Sequence, residues 1–458
     1  MKTNDLLKVS RFNYSCEDKH GNWLICNFAK GPNSFGKILK DDIDKYKRIM
    51  DSDNITFDEN KNCIVKLCDK GFLISKNTDE ELTVKSLYYN AVMDSKLSLI
   101  ILPTEQCNFR CTYCYESFEK GKMTKENQNS LLKFIQKKLA YSTNLNISWF
   151  GGEPLEALDV IEYIMGNVNI LCKTKKIVYL SDMTTNAYNL DAKTFDKLYK
   201  LKVYRYQITL DGLKEQHDKQ RIKADGSGTF DKIVENLLYI KNNPQYKLVQ
   251  ITIRMNMTAD ILANWKEFWH FYKSNLGGDN RFNIMFGPAG DLGGERVNAI
   301  KDAFVNSSDI YEKLLSCETF EDEELNITEM IKAFTPMAYL CYAAKKNSLV
   351  VGSDLNIYKC TVRYTMTENI IGHIMENGDS IIKEEFYNKW YIDNSEHTLC
   401  KSCFYFPCCY GGGCAQKRNF TDVSIDKCRC NEWKRELNTY MIYISNKFNF
   451  EKINFEGI

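Results

Sequence analysis

The stretch Leu97-Ser-Leu-Ile-Ile-Leu102-Pro-Thr-Glu-Gln-Cys107-Asn-Phe-Arg-Cys111-Thr-Tyr-Cys114-Tyr-Glu116 sets the reading of the whole chain. Its first six residues are a short apolar run of the kind that makes a buried strand, and Pro103 ends it. Three cysteines follow at spacings of four and three. Thiolates so spaced can cap three irons of a cubane cluster and leave the fourth iron without a protein ligand, open to a substrate. The competing reading is a structural zinc knot. Such zinc sites are normally closed by four protein ligands, and no histidine lies near this loop to complete one.

Outward from the loop, short apolar runs alternate with longer amphipathic segments. The pattern predicts further strands over 147–150, 177–180, 206–210, 249–257 and 282–285. Between them lie helices such as the one capped by Thr124, with Leu131, Phe134, Ile135 and Leu139 on one face, and the one capped by Thr229 ahead of Phe230, Ile233, Val234 and Leu237. Repeated β-α units predict an α/β fold with a parallel sheet, and six units suit a partial (β/α)6 barrel, not the closed eight-stranded form. In the fifth strand Val249, Ile251, Ile253, Met255 and Met257 alternate with Gln250, Thr252, Arg254 and Asn256; in the fourth, Ile208 and Leu210 alternate with Gln207, Thr209 and Asp211. A polar face inside a barrel implies a ligand there, whereas a half-exposed strand would give the same pattern with one wet face. Residues 1–95 read as a small α+β domain, 96–330 as the barrel, and 331–458 as a cysteine-rich, loop-rich domain.

Composition narrows the function classes. With 61 basic and 60 acidic residues among 458, no global field steers the chain toward nucleic acid or an anionic membrane. The start is too polar for a signal peptide and no run approaches the ~20 apolar residues that span a bilayer, so a cytoplasmic protein is expected. Eighteen cysteines in such a protein point to metal or cluster ligation, because cytoplasmic thiols stay reduced. Cys16, Cys26, Cys63, Cys68, Cys172 and Cys317 lie singly among apolar neighbours and read as small buried hydrophobes.

The three-cysteine loop resembles the signature of the radical S-adenosylmethionine superfamily, CxxxCxxC with an aromatic residue, here Tyr113, before the last cysteine. Trp149-Phe-Gly-Gly-Glu153-Pro, ending the second strand, is similar to that family's GGEP element. Thr184-Thr-Asn186, Leu210-Asp211-Gly212 and His217-Asp-Lys-Gln-Arg221 follow in the family's order. The resemblance implies 4Fe-4S ligation by Cys107, Cys111 and Cys114, and S-adenosylmethionine held near Gly151, Gly152 and Glu153. It also implies that Asn186, Thr209 and Asp211 line the pocket, that Arg221 pairs with the methionine carboxylate, and that Arg254 and Asn256 face the cofactor. A low-potential electron from a donor such as flavodoxin or ferredoxin would yield a 5′-deoxyadenosyl radical that abstracts hydrogen from a substrate. No catalytic base is identified.

The tail holds Cys341, Cys360, Cys400-Lys-Ser-Cys403, Cys408-Cys409, Cys414 and Cys428-Arg-Cys430. Taken alone, these thiols could form zinc ribbons. After a radical barrel they resemble the SPASM domain, which carries up to two auxiliary 4Fe-4S clusters. By that resemblance Cys341, Cys360 and Cys414 hold the first, and Cys400, Cys403, Cys409 and one of Cys428 or Cys430 hold the second, with Cys408 a bystander. The chain departs from the pattern in three ways. Leu355 stands where glycine is usual, with Asn356 expected to supply the turn; there is one extra glycine before Cys414; and the first auxiliary cluster lacks a clear fourth ligand, so its iron is expected to be open to a substrate thiolate. The function implied is maturation of a ribosomally made precursor peptide by thioether or carbon-carbon crosslinking, with residues 1–95 binding the leader. The alternatives are an anaerobic sulfatase-maturating enzyme, disfavoured because Thr361 rather than aspartate follows Cys360, and a zinc-stabilised peptide-binding protein. Three clusters predict about twelve irons per chain, ribbons predict zinc.

Overall fold

The computed structural model describes residues 2–292, 294, 296–315, 327–362, 366–391, 398–411, 414, 415, 434 and 436–455. Cys317, Cys428 and Cys430 lie outside the described residues. The chain forms two compact units, one of Ser95–Glu323 with Asn347–Trp390, the other of Met1–Asp94, Glu324–Lys346 and Tyr391–Ile458.

The first unit is built on a mixed sheet. Strands β1 (Leu97–Ile101), β2 (Asn144–Trp149), β3 (Val178–Thr185), β4 (Val203–Thr209), β5 (Gln250–Met257) and β6 (Phe282–Pro288) lie parallel in chain order. They run parallel because each crosses back through a helix, such as α1 (Lys125–Lys138), α2 (Leu158–Lys175) or α3 (Phe230–Lys241). Leu131, Phe134, Ile135 and Leu139 are all buried, as their shared face predicts. Past β1 the sheet continues through β7 (Ser348–Val351), parallel to β1, and then β8 (Asn356–Tyr358), β9 (Ile370–Ile374) and β10 (Ser380–Ile382), each antiparallel to the one before. The loop-rich reading beyond 330 missed these four strands. Ser348, Leu349, Val350 and Val351 are all buried, so β7 carries no alternation to betray it.

Two local readings need correction. Strand β3 runs five residues past its expected end because Asp182, a residue that argues against a strand, is accommodated by Ser148 Oγ at 2.9 Å and Asn146 Nδ2 at 3.2 Å from the neighbouring strand. Thr229 stands at the N-terminus of α3 without capping it. Asp218 Oδ1 accepts the Thr229 and Phe230 amides at 2.7 and 2.9 Å, while the Thr229 hydroxyl donates to the Arg221 carbonyl at 2.6 Å. Thr124, by contrast, caps α1 as expected, accepting the Asn127 amide at 3.3 Å.

The second unit contains a three-stranded antiparallel sheet with Leu6–Val9 between Ile55–Thr56 and Leu73–Ser75, and a second sheet in the order Glu451–Lys452, Gly31–Ile38, Trp23–Asn27, Asn13–Glu17. This unit also holds the helices Ile43–Met50 and Asn62–Asp69. Ile25, Ile38, Tyr46, Leu67 and Phe72 share a core with Ile453 and Phe455 from the far end of the chain. Among the described residues no helix is long and apolar enough to cross a membrane.

Candidate functional site

The predicted residues gather at the carboxyl ends of the parallel strands, where α/β sheets place their ligands. The loop after β1 carries Cys107, Cys111 and Cys114. It is fixed by antiparallel pairing with residues 220–224: Arg110 N donates to Ile222 O at 2.8 Å, Thr112 N to Gln220 O at 2.9 Å and Ala224 N to Asn108 O at 2.8 Å. Arg110 NH1 closes the turn from within, donating to the carbonyls of Cys107 at 2.6 Å and Phe109 at 2.7 Å. The thiols share one electrostatic field. Burial raises all three, Cys114 to about 11, and Cys111 and Cys114 further raise Cys107; Arg221 and Arg296 pull Cys111 back down. Thiolates in that place need a positive partner, which an iron-sulfur core provides. Among the described residues no three histidine, cysteine, aspartate or glutamate side chains converge as the ligands of a single ion would.

The Tyr113 hydroxyl ties the cysteine loop to the segment after β4 and to the end of β5. It donates to Asp211 Oδ2, and accepts from Arg221 NH1 at 2.7 Å and Asn256 Nδ2 at 3.2 Å. The Asn256 amide donates to Asp211 Oδ1 at 2.8 Å, and Arg254 Nε donates to Asn256 Oδ1 at 2.8 Å. Thr209 lies beside Arg254 in register on the neighbouring strand. Asp211 is fully buried, and burial raises its carboxyl against the opposing pull of Arg221. Arg221 Nε makes no hydrogen bond among the described residues. That buried guanidinium donor fits a carboxylate-bearing ligand that the protein's own groups do not replace.

Three contributors here were not singled out from sequence. The Asp211 amide donates to His217 Nδ1 at 3.2 Å, so that nitrogen carries no proton and Nε2 faces Thr229 Oγ1 at 3.1 Å as the donor. Burial, then Arg221, holds His217 well below its usual value, so the neutral ring locks the Arg221 turn. Asn108 accepts from Asn186 Nδ2 at 2.7 Å, tying the cysteine loop to the end of β3. Glu116, raised to about 8 by burial and then by Glu105, leaves Oε1 without a partner among the described residues. Its place two residues after Cys114 was the sequence signal.

Glu153 is buried and accepts Leu155 N at 3.0 Å, Thr185 Oγ1 at 2.6 Å and Asn186 N at 2.7 Å. Burial pushes it up to about 7, and these bonds offset only part of the shift. The unfolded chain ionises this group near 4.5, so between pH 4.5 and about 7 the folded chain holds the extra proton. Its contribution to stability is therefore present at low pH and lost as pH rises through that window. Between pH 5 and 8, urea unfolding is expected to show wild type losing about 3 kcal/mol more than Glu153→Gln. Equal losses would place the ionisation elsewhere. The neighbouring glycines lie against the cysteine loop itself: a Cβ at Gly151 would stand 2.5 Å from Thr104 O, and one at Gly152 2.3 Å from Glu105 O and 2.4 Å from Gln106 O.

Residues 101–258, which span the cysteine loop through the end of β5, match the model of the radical SAM superfamily. Those residues form a radical SAM domain. The radical SAM chain is an enzyme and uses S-adenosylmethionine with 4Fe-4S chemistry. It is 26% identical over 364 residues to the cysteine-type anaerobic sulfatase-maturating enzyme of Clostridium novyi (strain NT), covering 74% of this chain and 93% of that protein. It is 35% identical over 162 residues to the GTP 3′,8-cyclase of Sulfurovum sp. (strain NBC37-1), covering 35% of this chain and 48% of that one. The solved structure titled native anSMEcpe with bound AdoMet and Kp18Cys peptide shares the fold with a TM-score of 0.60 at 22% identity, over 77% of this chain and 100% of that one.

Beyond the radical SAM domain the tail cysteines divide. Cys360 follows β8 in the first unit, while Cys341, Cys400, Cys403, Cys408, Cys409 and Cys414 belong to the second. Cys408 is fully buried and raised well above the usual thiol value, first by burial and then by Cys409, Cys26 and Cys403. The turn before Cys360 is not made by Asn356, which begins β8. Leu355 itself takes the left-handed conformation at φ 66°, with its amide on Gly352 O at 3.0 Å and its side chain buried. Burial of the leucine compensates for the strain that glycine would avoid.

Proposed function

We propose that this radical SAM enzyme matures a ribosomally made precursor peptide, forming a thioether or carbon-carbon crosslink. The reading is carried by a nine-cysteine tail, spaced like a SPASM domain, that follows the radical SAM segment. S-adenosylmethionine bound at a reduced 4Fe-4S cluster supplies hydrogen-atom abstraction from the substrate. In this reading Cys107, Cys111 and Cys114 hold the cluster. Arg221 takes the methionine carboxylate and Glu153, with the Gly151-Gly152 turn, accompanies its amino group. The Tyr113 hydroxyl holds Asp211, Arg221 and Asn256 in one arrangement, and the six parallel strands form an open barrel whose polar face receives the peptide.

Auxiliary clusters on Cys341, Cys360 and Cys414, and on Cys400, Cys403, Cys409 and one of Cys428 or Cys430, would accept the electron released when the crosslink closes. The N-terminal sheet, with Leu73–Ser75 at its edge, would bind the leader by strand addition. A flavodoxin or ferredoxin would supply electrons in the cytoplasm.

The second reading, formylglycine formation, draws on the match over most of the length of the Clostridium novyi enzyme. Thr361 after Cys360 speaks against it, because a hydroxyl is no substitute for a carboxylate base. Anaerobic incubation with S-adenosylmethionine, a reductant and a cysteine-rich peptide encoded nearby separates the two by mass spectrometry. Loss of two hydrogens at a crosslink supports maturation. Conversion of a cysteine side chain to an aldehyde supports the second reading, and unchanged mass across all neighbouring peptides sinks the first.

A further inference from the structure

The segment after β6 is laid on the end of the cysteine loop. Gly294, at φ 88°, comes so near that a Cβ there would stand 3.0 Å from Tyr115 Cα and 3.1 Å from Cys114 O. That approach delivers Arg296, two residues on, to the loop. Its guanidinium lies 4.7 Å from the centre of the Phe118 ring, which also carries Arg110 at 4.5 Å. The two arginines are used differently. Arg110 NH1 is taken up by the carbonyls of Cys107 and Phe109, whereas Arg296 NH1 is buried and makes no hydrogen bond among the described residues. Arg296 stands two residues from the Gly294 contact with Cys114 and packs on Phe118, at the same end of the cysteine loop. Arg221, the other cation at these thiols, is already engaged with Tyr113.

An arginine never gives up its proton at ordinary pH, so this is a permanent charge. The potential of an iron-sulfur cluster follows its net charge and surroundings, and a nearby cation favours the more negative, reduced state. We infer that Arg296 is a fixed cation against which the cluster at Cys107, Cys111 and Cys114 takes up its electron. The inference rests on those three thiols being the cluster's ligands. The step adds one electron, given up by the low-potential donor, and moves no proton.

An EPR-monitored potentiometric titration of the holoenzyme tests this, following the reduced-cluster signal that changes when S-adenosylmethionine is added. Arg296→Gln is expected to keep its iron and sulfide and to show a tenfold lower ratio of reduced to oxidised cluster at a fixed potential, equivalent to about 59 mV for one electron. Arg296→Lys, which keeps the charge, is expected to stay within threefold of wild type. A glutamine variant that titrates with wild type overturns the inference, and so does a lysine variant shifted as far as the glutamine one, since contact rather than charge would then be at work. If the glutamine variant loses its iron, the lysine variant decides: wild-type behaviour supports the inference and a tenfold shift overturns it. Absence of any such signal from wild type would overturn the ligand assignment itself, and this inference with it.

Discussion

Cys111→Ala is expected to purify anaerobically with about four irons fewer per chain than wild type and to form no 5′-deoxyadenosine above a control without enzyme. Cys111 is buried in a turn held by hydrogen bonds at Arg110 and Thr112 on either side, so no other thiol can swing into its place without breaking the pairing with residues 220–224. On the proposed ligand set, a cluster reduced to two protein ligands would lose its anchoring as well as its electronic environment. Cys172→Ala is the control. Cys172 is a buried residue of α2 placed with no cluster, so its loss should lower stability by roughly 1 kcal/mol and leave iron unchanged. Iron and sulfide analysis with nucleoside chromatography reads both. Full iron and undiminished 5′-deoxyadenosine in Cys111→Ala would remove the basis of the functional reading.

Gly152→Ala is expected to cost nearly as much without touching a ligand. The added methyl would meet three backbone atoms of the cysteine loop within 2.7 Å, namely Glu105 O, Gln106 O and Gln106 C. A flexible side chain could move aside; a carbonyl cannot, because Gln106 O already accepts the Glu153 amide at 2.9 Å. The loop must shift, and a displacement of this order at a reacting centre costs about 100-fold in rate. Overpacking adds a stability loss of about 1–3 kcal/mol. Gly166→Ala provides the contrast: it lies within α2 with open space around it and should stabilise by about 1 kcal/mol. S-adenosylmethionine cleavage rates and thermal unfolding measure both, and a Gly152→Ala enzyme with wild-type turnover would mean that the glycine turn does not position the cysteine loop.

What the residues determine by themselves is local. A period of two places Ile251, Ile253, Met255 and Met257 on the buried side of β5 and Arg254 and Asn256 on the other. A spacing of four and three sets Cys107, Cys111 and Cys114 on one loop. Both follow from neighbours in sequence, which is why they were legible. The reach of the sheet was not, since β7 is buried on every residue and β3 carries Asp182, so each lacks the pattern that would mark a strand.

Only the tertiary structure decided which distant groups share an atom. Tyr113, Asp211, Arg221 and Asn256 meet at one hydroxyl because three strands end at the same side of the sheet, a matter of strand order and not of spacing. The Gly151-Gly152 turn lies against the cysteine loop's own carbonyls, and Arg296 is brought to that loop by the path of the chain after β6. No pattern along the sequence encodes these contacts, because each is set by the packing of elements far apart in the chain.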